Sequence, residues 1–271
     1  MQKVTLNNGI QIPIIGLGTF RAKEEDVYNS VRIALESGYR HIDTAMIYGN
    51  ELEVGKAIKD SGIPREELFI TTKLWNSDQG YETTKKAFDD SLKKLGLKYV
   101  DLYLIHWYKG EQKAADSWKA MEELCEAGKI RSIGVSNFNV NHIENLLKTA
   151  KIKPVINQVE IHLGLPQYNL QEYCESNGIK LEAYAPMQSG GIFTNEDIKK
   201  VALKHNKSIA NIALKFLVDR GIIVLPKSIK EERILNNKNI FDFSLDEEDL
   251  TILKKQWNGM RLFPDPDNCS F

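Results

Sequence analysis

The chain alternates short runs of β-branched and apolar residues with longer stretches whose apolar positions recur at helical spacing, the pattern of repeated βα units. It opens on two alternating stretches around Asn8-Gly9, between Val4 and Ile12. That arrangement predicts a β-hairpin with a type I′ turn, because both turn residues accept positive φ. Eight strand-like runs follow, at 14–18, 39–42, 68–72, 99–105, 132–135, 155–159, 179–183 and 222–225. Between them lie helical faces: Val27, Val31, Ala34 and Leu35, stopping at Gly38; Tyr81, Phe88, Leu92 and Leu95; Trp118, Met121 and Cys125; Val140, Ile143 and Leu147. A further helix is predicted from Ser208 to Asp219, halted by Gly221, and a last one is opened by a capping box of Ser244 and Glu247.

Eight such units in about 250 residues predict an α/β fold, a closed (β/α)8 TIM barrel preceded by the hairpin. No Pro/Ser linker or low-complexity tract divides the chain, so 1–271 reads as a single domain. The rival is an open doubly wound sheet. It is disfavoured because Gly16-Leu17-Gly18-Thr19-Phe20-Arg21 lacks the third glycine of a dinucleotide-binding turn, and no Walker-type phosphate loop exists.

Composition narrows the partners. With 42% hydrophobic and 27% charged residues, and no apolar run near the roughly 18 residues of a membrane span, neither a membrane protein nor a disordered chain is expected. The 36 Lys and Arg are matched by 37 interleaved Asp and Glu, so no basic field exists to draw in nucleic acid. Cys125, Cys174 and Cys269 are scattered, form no C-x-x-C pair and suit a reducing cytoplasmic setting. The N-terminus lacks an apolar signal core, so export is not expected. The histidines at 41, 106, 142, 162 and 205 form no ligand-spaced pair, and no metal is expected.

In a parallel barrel, reactive side chains gather where the strands end. That rim carries Asp43 and Tyr48, then Lys73, His106, Ser136 with Asn137, Gln158, Tyr184, and Lys227 with Ser228. An acid, a lysine, a phenol and an imidazole at one mouth can be assembled into a proton donor. A phenol ionises near pH 10, and a lysine beside it would favour the phenolate. Asp43 would hold that ammonium charged, and His106 would hydrogen-bond the reacting oxygen. A Schiff-base lyase using Lys73 or Lys227 needs a neutral lysine, which Asp43 opposes.

The stretch Gly38-Tyr39-Arg40-His41-Ile42-Asp43-Thr44-Ala45-Met46-Ile47-Tyr48-Gly49-Asn50-Glu51 closely resembles the aldo-keto reductase superfamily. Thr72-Lys73-Leu74-Trp75, Leu104-Ile105-His106-Trp107, Gly134-Val135-Ser136-Asn137-Phe138, Asn157-Gln158-Val159-Glu160 and Leu225-Pro226-Lys227-Ser228 resemble further family blocks, in family order. The compact length is similar to bacterial diketogluconate reductase-like members. The resemblance implies a catalytic tetrad of Asp43, Tyr48, Lys73 and His106, and NADP(H) as cofactor. Hydride would pass to an aldehyde or ketone carbon as Tyr48 protonates the oxygen. It further implies that Ser136, Asn137 and Gln158 hold the carboxamide and that Tyr184 stacks on the nicotinamide. Lys227, Ser228 and Arg233 would hold the 2′-phosphate, and Asn237 the adenine, with Gly18, Thr19 and Asp43 counted among the cofactor contacts.

Phe20, Trp75 and Trp107 would line the substrate pocket with Tyr48 and His106, and the tail 261–267 would close over it. The family's usual Pro and Ser are replaced here by Tyr108 and Ala185. The expected activity is NADPH-dependent reduction of small aldehydes, dicarbonyls or keto-sugars by a monomer. The alternative is a catalytically weak NADPH-binding sensor or partner subunit.

Overall fold

The computed structural model describes residues 2–271. Strands β1 (Lys3–Thr5) and β2 (Gln11–Pro13) form the antiparallel hairpin. Its turn differs from expectation: Gly9 alone takes positive φ, at 83°, and its N–H donates to the Leu6 carbonyl at 2.9 Å. Asn8 instead uses its side chain, donating to Ser132 Oγ and to the Arg131 carbonyl, which pins the turn against the barrel. The hairpin plugs one end of the barrel, where Leu6 and Ile12 pack with Phe69, Leu102, Leu104, Ile156 and Ile223.

The eight parallel strands are β3 (Leu17–Gly18), β4 (His41–Asp43), β5 (Phe69–Leu74), β6 (Val100–Ile105), β7 (Ile130–Ser136), β8 (Ile156–Glu160), β9 (Lys180–Tyr184) and β10 (Ile223–Val224). Each pairs with its sequence neighbour. Closure comes from Gly16 N–H to the Val224 carbonyl at 3.0 Å, Val224 N–H to the Ile14 carbonyl at 2.9 Å and an Ile15–Val224 bridge. The outer layer is built by α1 (Glu24–Glu36), α2 (Glu51–Ser61), α3 (Tyr81–Leu95), α4 (Glu111–Glu126), α5 (Val140–Leu147), α6 (Tyr168–Ser176), α8 (Ile209–Asp219) and α9 (Glu231–Asn237). Two helices are additional, α7 (Glu196–Lys204) ahead of α8 and α10 (Glu247–Lys254) near the C-terminus.

The near-continuous apolar runs are explained by burial on both faces of the strands. On β6, Leu102 and Leu104 join the hairpin's cluster, while Tyr103 and Ile105 join the large cluster shared with the helices. The final helix begins later than its sequence suggests. Its capping box is Asp246 with Asp249, not Ser244 with Glu247, because Asp249 is anchored by Lys204 at 2.9 Å and His205 at 2.7 Å. Helices α2, α6, α7 and α9 were not anticipated from the sequence, although α2 buries Val54, Ala57 and Ile58 and α7 buries Ile198, Val201 and Ala202 at helical spacing.

Gly16 belongs to packing rather than to a phosphate turn. A Cβ there would lie 2.6 Å from His41 Nδ1 and 2.9 Å from Leu225 Cδ2. Gly16→Ala is therefore expected to lower stability by about 1–3 kcal/mol through overpacking. Urea unfolding checks this, and a wild-type midpoint would show that the His41 ring has room to move.

Candidate active site

The period of two along a strand decides which side chains share the barrel interior. On β4 that face carries His41 and Asp43, on β5 Thr71 and Lys73, on β8 Gln158 and Glu160, on β9 Glu182 and Tyr184. Lys73 and Asp43 are buried, and Lys73 spends its three ammonium hydrogens on named acceptors. It donates to Asp43 Oδ1 at 2.6 Å, to the Thr44 carbonyl at 2.9 Å and to Tyr48 Oη at 3.5 Å.

Tyr48 comes from a single 3-10 turn, Met46–Tyr48, that follows β4 and ends at Gly49 with φ of 67°. Asn50 holds this turn in place. Its amide donates to the Thr19 and Ala22 carbonyls at 3.1 and 2.9 Å and its oxygen accepts from Thr44 Oγ1 at 2.7 Å. Glu51 accepts from Thr72 Oγ1 at 2.6 Å, tying α2 to β5 beside Lys73. Both residues belong to the motif quoted above, yet side-chain type alone assigns them no job.

Burial works against the Lys73 ammonium, but Asp43, Tyr48 and Glu182 outweigh it and hold its pKa above the ordinary lysine value. Burial raises Asp43, with Lys73 and Gln158 opposing. Burial also raises Tyr48, and it exceeds the downward pull of Lys73. The expectation of a phenol made more acidic by its lysine is thus only half met, since desolvation of the phenolate is the larger effect. Tyr48 accordingly carries its proton at neutral pH. His106, its ring 5.7 Å from that of Tyr48, is held well below the usual imidazole range by burial and then by Lys73, so it is neutral.

Asp43, Tyr48 and His106 open onto a cleft of about 910 Å³. Gly18, Phe20, Asp43, Tyr48, Trp75, His106, Trp107, Asn137, Gln158, Tyr184, Lys227, Ser228, Arg233 and Asn237 all line it. Lys73 does not, and reaches it only through Tyr48. Thr19 and Ser136 also lie behind the wall, their hydroxyls donated to the carbonyls of Asp43 at 3.0 Å and Gln158 at 2.8 Å. Asn137 is committed as well: it donates to Ser136 Oγ and the His106 carbonyl, and accepts from Tyr184 Oη at 2.7 Å. That bond fixes the Tyr184 ring.

Two wall residues, Ile47 and Phe271, had no role expected from the sequence, and Phe263, also on the wall, belongs to the 261–267 tail expected to close over the pocket. Phe263 packs edge-on to Tyr184 at 5.2 Å, and Phe271 stacks on Trp75 at 5.8 Å and meets the Trp107 edge at 5.3 Å. The tail is held by buried Glu160, which accepts the N–H groups of Leu262 at 2.7 Å and Phe263 at 3.2 Å. Lys227 and Arg233, which also line the cleft, are exposed, and neither forms an ion pair among the described residues. In the loop after β9, Ala185, Gln188 and Ser189 adopt positive φ of 50–51°, and Ala185, Pro186, Met187 and Ser189 line the cleft. Among the described residues no group of His, Cys, Asp or Glu could hold a metal ion, and no helix is long and apolar enough to cross a membrane.

The aldo/keto reductase family model matches residues 14–258. The chain belongs to the aldo/keto reductase family. It is 51% identical to the glyoxal reductase of Bacillus subtilis, over 99% of this chain and 97% of that protein. Among solved structures, an aldo-keto reductase from a Medee basin deep-sea metagenome library superposes with a TM-score of 0.97 at 56% identity, covering 99% of this chain and 100% of that one. A Bombyx mori aldo-keto reductase in complex with NADP superposes with a TM-score of 0.91 at 38% identity, covering 98% and 96%. The chain is therefore an oxidoreductase of carbonyl groups in a family that uses NADP(H).

Proposed function

We propose that this aldo-keto reductase reduces small aldehydes and α-dicarbonyls with NADPH, using Tyr48 as the general acid. The observation that carries the reading is the Tyr48 phenol, backed by a buried Lys73–Asp43 pair and flanked by His106, in a cleft that Lys227 and Arg233 also line. The residues fit NADP(H). A cleft of about 910 Å³ accommodates a dinucleotide, and Lys227 and Arg233 lack protein counter-ions that a 2′-phosphate would supply. When bound, NADPH supplies the hydride.

The chain's own residues handle the proton and the alignment. The Tyr48 Oη–H bond breaks as its proton passes to the carbonyl oxygen, and the Lys73 ammonium stabilises the phenolate left behind. Asp43 and the Thr44 carbonyl keep that ammonium charged and aimed. Neutral His106 orients the carbonyl oxygen by hydrogen bonding. Tyr184 and Gln158 would position the nicotinamide ring and its carboxamide; Asn237 would meet the adenine. Phe20, Trp75, Trp107, Phe263 and Phe271 narrow the substrate end to compact carbonyl compounds. The glyoxal reductase relative supports that size class.

The test is NADPH consumption with glyoxal, methylglyoxal, keto-sugars and bulky aromatic aldehydes. Turnover of the compact dicarbonyls above the bulky compounds is expected; the reverse order would overturn the substrate class. Arg233→Ala is expected to raise KM for NADPH about 10–100-fold, the range of one or two charge-assisted hydrogen bonds, with kcat little changed. KM for NADH should not move. A variant with wild-type KM for NADPH would remove Arg233 from the phosphate site.

A further inference from the structure

Beneath the tetrad, inside the barrel, lies a carboxyl group for which the proposed reaction has no use. Glu182 on β9 is fully buried. Its Oε2 accepts from Gln158 Nε2 at 2.7 Å, and the same amide nitrogen donates to Asp43 Oδ2 at 2.8 Å. An amide nitrogen has two hydrogens, and both are spent. The orientation of Gln158 is therefore determined: with nitrogen toward the two carboxyl groups, its oxygen is the atom left for the cleft it lines. Glu182 Oε1 has no hydrogen-bond partner and lies 3.7 Å from His41 Nε2.

We propose that Glu182 is a positioning residue whose carboxyl group locks the Gln158 amide with its oxygen toward the cleft, so that an N–H donor is received there in one orientation. On the NADPH-dependent reading, on which this inference rests, that donor is the nicotinamide carboxamide. The lock acts on the cofactor and not on the carbonyl substrate.

The charges around Glu182 explain why it holds a proton. Strand β4 presents His41 and Asp43, β5 presents Lys73, β8 presents Gln158 and β10 sets apolar Ile223 opposite it. Asp43 and Lys73 already neutralise each other. His41 is not a second cation, because burial and then Lys73 hold its pKa down to about 3. With one cation for two carboxyl groups, burial and then Asp43 push Glu182 up to about 8. Ionisation would set a second negative charge beside Asp43 and draw on the Lys73 field that serves Tyr48.

The experiment compares Glu182→Gln and Glu182→Leu with the wild-type protein in two measurements. One is NADPH affinity by fluorescence titration, without carbonyl substrate; the other is thermal unfolding of the ligand-free protein across about pH 5 to 9. Glu182→Gln retains an acceptor for Gln158, so its Kd for NADPH is expected within about twofold of wild type; Glu182→Leu leaves a Gln158 N–H unpaired, and its Kd rises about tenfold. A folded-state pKa raised from 4.5 to about 8 contributes stability that is full below the lower value and lost as pH rises toward the upper. Wild-type Tm should therefore fall relative to Glu182→Gln between those limits. Parallel Tm curves for those two proteins, or wild-type NADPH affinity in Glu182→Leu, would overturn the proposal. Should Glu182→Leu fail to fold, the Tm comparison decides alone. Absence of NADPH binding by the wild-type protein would overturn the underlying cofactor reading, an outcome distinct from either.

Discussion

Tyr48→Phe is expected to reduce kcat for dicarbonyl reduction by on the order of 10² to 10⁴, the usual contribution of a positioned general acid, while NADPH affinity stays within about twofold. The substitution deletes one oxygen and keeps the ring that packs against Phe20 at 5.1 Å and His106 at 5.7 Å, so the cleft retains its wall. Lys73 loses its 3.5 Å contact but keeps its bonds to Asp43 and the Thr44 carbonyl. Stability should accordingly change little. Steady-state kinetics beside a fluorescence titration of NADPH separates the two effects. A variant retaining more than about a tenth of wild-type kcat would mean that another group delivers the proton.

Lys73→Met should be the most damaging single change in both activity and stability. It removes the only cation among the described residues in contact with buried Asp43 and leaves that carboxylate uncompensated, a defect that costs about 3–5 kcal/mol. For a chain of this size that corresponds to a Tm lower by on the order of 10 °C. Turnover should fall at least as far as in Tyr48→Phe, because the phenolate formed by proton transfer loses its counter-ion. The pH dependence has a definite sign. Burial already raises Asp43, and removing Lys73 raises it further. A carboxyl whose folded pKa is raised favours the folded state when protonated, so the variant's deficit should shrink on acidification and widen as pH rises. Adding Asp43→Asn should restore much of the lost Tm without restoring turnover. If the double variant proves no more stable than Lys73→Met alone, the cost does not come from the orphaned carboxylate.

The two predictions turn on residues of different legibility. Asp43, Tyr48, Lys73 and His106 stood out because they share a chemistry and each follows a strand-like run. Glu182 did not, although the same period of two marks it: it sits two residues before Tyr184 on one strand face, as His41 sits two before Asp43. An acidic residue inside an apolar run reads as an exposed position until its neighbours across the barrel are known. Thr19 and Ser136 have a structural use that their residue type does not reveal: their hydroxyls donate to the carbonyls of Asp43 and Gln158, which leaves each oxygen able to accept another bond. The turn at Asn8-Gly9 departs from type I′: Gly9 alone takes positive φ, its N–H donates to the Leu6 carbonyl, and the Asn8 side chain bonds β7.

The order of the strands and the candidate chemistry were legible in the sequence. Both are local properties: alternation and helical periodicity follow from the geometry of one strand or helix, and strand ends announce where reactive side chains collect. What only the tertiary structure decided is which polar groups face each other and in what protonation state. Asp43, Lys73, Gln158 and Glu182 are separated by up to 139 positions, yet share one set of hydrogen bonds a few ångströms across. Burial and pairing energies depend on those distances and on the exclusion of water, neither of which a linear pattern contains.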